Sequence, residues 1–317
     1  MKRHTLLGLG LGLILLVGAC ANRAGSIGPI GGSGDPTGPS VQPSTPTVSA
    51  PSSDSASPST TPSGSTPSAP TAPSTLPPGL AFTYEVWFTY GDRLLPTHRT
   101  EAFDPGVGGI ALEALLAGPT EAERAAGFST AIPVSTTLNG LVIEDGIATV
   151  DLSGSYEDTS GTTGETLRLA QVVYTITQFP TVTGVLFELD GRPVTVFGGH
   201  GILLDEPQTR GGYEDQVAPI VVETPLIGER VENPVTISGT ANVFEATVSI
   251  QILDATGAVI ANTFTTATCG TGCRGDYSAR VTYSVDSDQP GTVVVFESSA
   301  EDGSMLFPVR IPVTLTA

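Results

Sequence analysis

The chain has 317 residues and a formal net charge of −19. Lysine is nearly absent, and the 238 residues from Leu80 onward carry ten arginines against thirty carboxylates. Such a field repels phosphate backbones and anionic lipid heads, which excludes a nucleic-acid partner and membrane attachment through a basic patch.

The first twenty residues read as an export signal. Lys2 and Arg3 precede a twelve-residue run of Leu, Ile, Val and Gly from Leu6 to Val17. That run is shorter than the ~20 residues of a membrane-spanning helix and fits a signal-peptide core. Val17-Gly18-Ala19-Cys20 resembles the bacterial lipobox. The resemblance implies a signal peptide over 1–19, cleavage before Cys20, and lipid attachment at Cys20. Each buried methylene contributes ~0.8 kcal/mol, so two or three acyl chains anchor where one does not. The expected location is the outer face of the cytoplasmic membrane.

Residues 20–79 read as a disordered tether. Of the 59 residues from 21 to 79, 43 are Pro, Ser, Thr or Gly, and none is aromatic. They cannot bury enough apolar surface to offset backbone ordering. As a coil the tether spans about 40–45 Å, and as an extended rod about 180 Å. With Cys20 lipidated, Cys269 and Cys273 remain as an even pair in an oxidising compartment. Two glycines lie between them, so a tight turn and a small-loop disulfide are expected.

Phe82 to Tyr90 alternates aromatic and aliphatic residues with polar ones, a strand whose rings belong in a core. Gly91-Asp92 turns the chain into a second strand near Leu94–Thr100. Ile110–Ala117 reads as a short helix ended by Gly118-Pro119. Leu141–Glu144 and Ile147–Leu152 form a hairpin, as do Val185–Leu189 and Pro193–Phe197 across Asp190-Gly191. Between the hairpins, Leu169, Val172, Val173 and Ile176 form a helical stripe, and Thr162 to Glu165 has capping-box spacing. This order predicts an α+β domain over 80–212, an antiparallel sheet with two helices. From Pro219 only strands are expected: Ile220–Val222, Val235–Thr240, Thr247–Leu253, Val259–Phe264, Ser278–Val285, Thr292–Glu297 and Leu306–Thr314. They predict an all-β immunoglobulin-like sandwich over 213–317.

The stretches 112–133 (LEALLAGPTEAERAAGFSTAIP), 142–154 (VIEDGIATVDLSG) and 167–194 (LRLAQVVYTITQFPTVTGVLFELDGRPV) resemble the GerMN domain of bacterial sporulation and spore germination. Residues 225–257 (PLIGERVENPVTISGTANVFEATVSIQILDATG) and 275–283 (GDYSARVTY) resemble the immunoglobulin-like domain of bacterial spore germination proteins. The resemblance implies a tandem of modules on an envelope lipoprotein and carries over no catalytic residue.

Candidate chemistry is sparse. No catalytic residue, metal or cofactor is expected. His200 sits in Gly198-Gly199-His200-Gly201 with no partner nearby in sequence. Asp286-Ser287-Asp288 lacks the glycine and closing glutamate of a calcium loop. Glu144-Asp145 and Glu301-Asp302 are turn residues before glycine, and Arg274-Gly275-Asp276 is a tripeptide of a kind that arises by chance. The expectation is a non-enzymatic, lipid-anchored envelope protein that binds envelope proteins or wall polymer, with a link to sporulation, germination or envelope homeostasis. The alternatives are an accessory to a wall-acting enzyme, or a solute-binding lipoprotein with a cleft between its domains.

Overall fold

A computed structural model describes residues 81–158 and 161–317. The signal segment, Cys20 and the tether lie outside the described residues. The described residues belong to one compact unit, mostly β with few helices. Among the described residues, no helix is long and apolar enough to cross a membrane.

The unit opens with strands β1 (Ala81–Tyr90) and β2 (Arg93–Ala102), then helices α1 (Val107–Ala117) and α2 (Glu121–Ala125), then β3 (Phe128–Ser129). These strands form a sheet in the order β2-β1-β3. A hairpin of β4 (Leu138–Glu144) and β5 (Ile147–Leu152) follows, then α3 (Thr162–Ile176), β6 (Gly184–Leu189), β7 (Arg192–Pro193), β8 (Val196–Phe197) and β9 (Ile202–Leu203). The sheet order here is β4-β5-β6-β7. Asp145-Gly146 and Asp190-Gly191 make the two tight turns, each residue at φ between 50° and 84°, as mirror-type hairpin turns require.

The expected single antiparallel sheet is corrected in two respects. Strands β5 and β6 pair in parallel, with α3 as their crossover. The α3 helix contacts β1 and β2 on one side and β6 on another, so it lies between two sheets. That position explains why Leu167 to Ile176 is buried without interruption rather than along one stripe. The expected strand Pro193–Phe197 divides into β7 and β8.

Polar residues of α3 close an open sheet edge. β1 has β3 beside it only at Thr89 and Tyr90. Nearer its start, the Trp87 N–H donates to Thr175 Oγ1 (3.1 Å) and the Trp87 carbonyl accepts from Gln171 Nε2 (3.0 Å). Just beyond the helix, the Gln178 amide meets both backbone groups of Glu85 at 2.7 Å. A buried strand edge thus finds partners without a neighbouring strand.

The capping box expected at Thr162 is absent. The α3 N-cap is Gly161, at φ 80° and with no side-chain cap. The box occurs instead in α2, where Thr120 and Glu123 cap each other reciprocally.

A 3-10 turn over Arg210–Gln216 leads into the second half. There β10 (Ile220–Thr224), β11 (Arg230–Val231), β12 (Val235–Ala241), β13 (Thr247–Leu253), β14 (Val259–Thr266), β15 (Gly275–Val281), β16 (Gln289–Ser298) and β17 (Met305–Leu315) follow. They form a three-stranded sheet, β10-β12-β15, and a five-stranded sheet, β11-β17-β16-β13-β14. Alternate residues such as Val248, Ile250, Ile252, Val293, Val295, Ile311 and Val313 are buried in the shared core.

Candidate functional site

The two halves meet along β2, the 3-10 turn and β10. Leu94 bridges in parallel to Val217, and the Ala218 N–H donates to the Leu94 carbonyl at 3.0 Å. Beside this seam lies a cleft of about 180 Å³. Its first-half wall is aromatic. Trp87 and Tyr174 pack at a ring separation of 4.7 Å. The Arg210 guanidinium lies 4.9 Å from the Tyr174 ring centre and 5.7 Å from that of Trp87. Arg210 is held there by the Tyr174 carbonyl (2.9 Å), Thr177 Oγ1 (3.0 Å) and Glu85 (3.9 Å). This combination of ring faces and a carboxylate suits a planar cation.

The opposite wall comes from the β10-β12-β15 sheet. Arg274 stands just before β15 and reaches across the seam. Its Nε donates to Glu214 Oε1 (2.8 Å) and its Nη2 to the Ala218 carbonyl (3.0 Å). Glu214 also accepts from the Tyr174 hydroxyl at 3.1 Å. The Nη1 of Arg274 is buried with no acceptor among the described residues. Glu223 of β10 and Thr240 of β12 complete this wall. Burial, together with the charges of Glu85 and Asp276, pushes the Glu223 carboxyl above the ordinary range.

Arg274 owes its position to the loop before it. Cys269 and Cys273 form a disulfide with their Cα atoms 5.7 Å apart. The loop is pinned further by Thr271 N–H to the Val243 carbonyl (2.9 Å) and Gly272 N–H to Asn242 Oδ1 (3.0 Å). The Arg274-Gly275-Asp276 tripeptide is therefore part of the seam, with its arginine engaged.

A second polar cluster lies on the far side of α3. Glu165 is fully buried and accepts from Gly199 N–H (3.1 Å) and from His200 Nδ1 (3.0 Å). Burial raises its carboxyl, but these bonds outweigh that and hold it below the ordinary value. Gly198, at φ 70°, packs so closely that a Cβ would lie 2.3 Å from the Glu165 carboxyl carbon. The cluster clamps the β8–β9 turn onto α3. His200 thus has a partner that sequence reading misses, because the spacing of Glu165 from Thr162 reads as a helix cap.

Other sequence candidates fall elsewhere. Asp288 is engaged by Arg230 and by the Ala317 N–H (3.1 Å). Among the described residues, no group of three or more His, Cys, Asp or Glu is placed to hold a metal ion. Asp145 and Asp302 sit in turns, and Asp302 accepts from Ser304 N–H at 3.0 Å. The aromatics of β1 are core: Tyr84, Trp87 and Phe88 are buried.

The architecture is an α+β module joined by a braced seam to an immunoglobulin-like β-sandwich. Residues 93–195 match the family described as sporulation and spore germination, and residues 219–304 match the immunoglobulin-like domain of bacterial spore germination. The folded part thus carries, in tandem, a segment that matches the GerMN-type family and one that matches that immunoglobulin-like family. Among solved structures, the chain is similar to the first GerMN domain of the sporulation protein GerM from Bacillus subtilis. There the identity is 19% and the TM-score 0.36, over 41% of this chain and 98% of that one. It is also similar to the tandem GerMN domains of the same protein, at 15% identity and TM-score 0.38, over 75% of this chain and 61% of that one. No curated protein matches the chain.

Proposed function

We propose that this is an exported lipoprotein, held on the outer face of the cytoplasmic membrane by acyl chains on Cys20. Its GerMN and immunoglobulin-like domains act as one non-enzymatic unit that binds or assembles envelope proteins or wall polymer during sporulation or germination. The association with sporulation and germination rests on the two family matches. The observation that carries the single-unit reading is the Arg274 brace, which ties the sandwich to Glu214 and to the Ala218 carbonyl. A braced pair presents one continuous surface with fixed geometry, which an assembly module needs and a flexible tandem lacks. The tether of residues 20–79 would carry that surface away from the bilayer.

Cys20→Ala tests the anchor. The expected result is release of the chain from the membrane fraction or accumulation of uncleaved precursor. A cleaved Cys20→Ala chain that stays in the membrane fraction overturns the anchoring. Proximity labelling from the native lipoprotein then identifies the partner, and labelling confined to cytoplasmic proteins overturns the envelope assignment.

A further inference from the structure

We propose that β14, the outer strand of the five-stranded sheet, pairs antiparallel with β14 of a second copy of this chain, so that two sandwiches share one continuous sheet. This goes beyond the tethered-assembly reading, uses a surface other than the seam, and does not depend on lipid attachment.

A strand at the end of a sheet presents unpaired N–H and C=O groups, and proteins guard such strands by brevity, charge, proline, a bulge or a cover. Among the described residues, every other sheet end carries one of these guards. β3, β7, β8, β9 and β11 are two residues long. β2 holds Pro96 and Arg99, and β15 holds Asp276 and Arg280. β4 has a register shift after Leu138 and ends in Glu144. β10 lies against β2 of the first half. In contrast, β14 is eight residues long, Val-Ile-Ala-Asn-Thr-Phe-Thr-Thr, with no charge and no proline. Most of these are strong strand formers. Its one irregularity is at its start, opposite Ile252 and Leu253, and the register runs unbroken from Ala261 to Thr266. Among the described residues its backbone pairs only with β13, and the Thr265 hydroxyl reaches the Ser278 carbonyl of β15 at 3.0 Å.

Charge and symmetry point to a second copy as the occupant. With ten arginines against thirty carboxylates after residue 79, two copies repel wherever carboxylates face each other. At physiological salt that repulsion is screened beyond about 8 Å, so the charge of the touching strands decides the contact. The exposed row of β14 is Val259, Asn262, Phe264 and Thr266, all uncharged. A two-fold axis normal to the sheet sets an antiparallel strand against its own copy with every side chain keeping its face. The exposed row therefore meets the same exposed row, and no carboxylate of β14 opposes another. Phe264 is 69% exposed and Val259 52% exposed, and the pairing covers part of both. A basic or an acidic partner strand finds no opposite charge on β14. Its match is another uncharged strand, and the identical one is present wherever this chain is.

The experiment uses the full chain carrying Cys20→Ala, which keeps the result apart from the fate of the anchor. Sedimentation equilibrium over a hundredfold range of concentration should show a reversible dimer. Phe264→Glu places a carboxylate in the row of both copies and should weaken the dimer by at least about tenfold. Asn262→Glu is the second variant. Both positions are exposed, so the fold is kept, which thermal melts verify. Because Cys269 and Cys273 bond to each other, Asn262→Cys adds one free thiol to this background. A short thiol cross-linker should join two such chains and leave chains with Arg280→Cys, exposed on β15, unjoined. A single-copy mass for the parent at every concentration overturns the proposal. So does unchanged association in either folded glutamate variant, or equal cross-linking at Arg280→Cys. Cross-linking of Asn262→Cys in the envelope to other proteins alone also overturns it, and assigns the strand to a foreign partner.

Discussion

Replacing Gln171 by leucine tests whether the helix side chains that close the β1 edge hold the fold. The substitution keeps volume and adds apolar character at a fully buried site. On area arguments alone it should be neutral or stabilising. The hydrogen bonds argue the reverse. Gln171 Nε2 serves the Trp87 carbonyl at 3.0 Å, and its Oε1 accepts the Ala131 N–H at 2.8 Å. Leucine leaves both backbone groups without these partners, at a cost of roughly 1–3 kcal/mol each, or about 4 kcal/mol together. For a unit of this size each kcal/mol shifts the melting temperature by about 2–4 °C, so a drop of about 8–16 °C is expected. Urea denaturation followed by the emission of Trp87 measures it, since that residue carries the affected carbonyl. Thr175→Val removes one partner, the acceptor of the Trp87 N–H, and should cost about half as much. A Gln171→Leu protein within about 1 kcal/mol of the parent would refute the reasoning and assign the stability of this edge to apolar packing.

Two further outcomes follow from the same geometry. The double variant Cys269→Ser/Cys273→Ser should lower the unfolding free energy by about 2 kcal/mol or less, because the loop closed has a sequence separation of only 4. Chemical denaturation with and without reductant checks this, and a loss of about 4 kcal/mol would mean that the bridge holds more than its own loop. For Glu123, burial raises the carboxyl, but the two-pronged bond to Arg99 (2.5 and 2.8 Å) and the Thr120 N–H outweigh it and hold the group below its ordinary 4.5. A depressed folded value means stability that is present above pH 4.5 and lost as pH falls through the lowered value. Glu123→Gln should therefore flatten the stability profile on the acid side, and an unchanged acid limb would contradict the assignment.

Much of the fold was legible because its signals are local. The span Thr247–Leu253 matches β13, since alternation across a half-buried strand has a period of two whatever lies beyond it. The Asp-Gly turns carry their own backbone requirement and mark both hairpins. The parallel pairing of β5 with β6 was not legible, because a crossover leaves no trace in either strand's own pattern. The two-residue strands β3, β7, β8, β9 and β11 are too short to show a period. Glu165 shows how a local rule misleads: its spacing from Thr162 suits a cap, yet Gly199 and His200 satisfy it from 34 and 35 residues away. The disulfide partners could be paired by count and spacing. The role of Arg274 immediately after them could not, since Glu214 lies 60 residues earlier.

The cleft was hidden for the same reason, and that reason bears on function. Its groups come from β1, β2, α3, the 3-10 turn and the residue after it, β10, β12 and the residue just before β15, so no short motif contains it. It exists only when both domains are folded and docked. The expected boundary at 212 cuts through the 3-10 turn, whose Arg210 and Glu214 both bond to Tyr174 of α3. The turn therefore packs as part of the first domain and ends in the two residues, Val217 and Ala218, that bond to β2. In a chain with ten arginines against thirty carboxylates after residue 79, two of the ten meet at this seam, each held by a glutamate. One of them, Arg274, both braces the domains and lines the cleft. Loss of that side chain would therefore loosen the docking of the domains and open the cleft wall together.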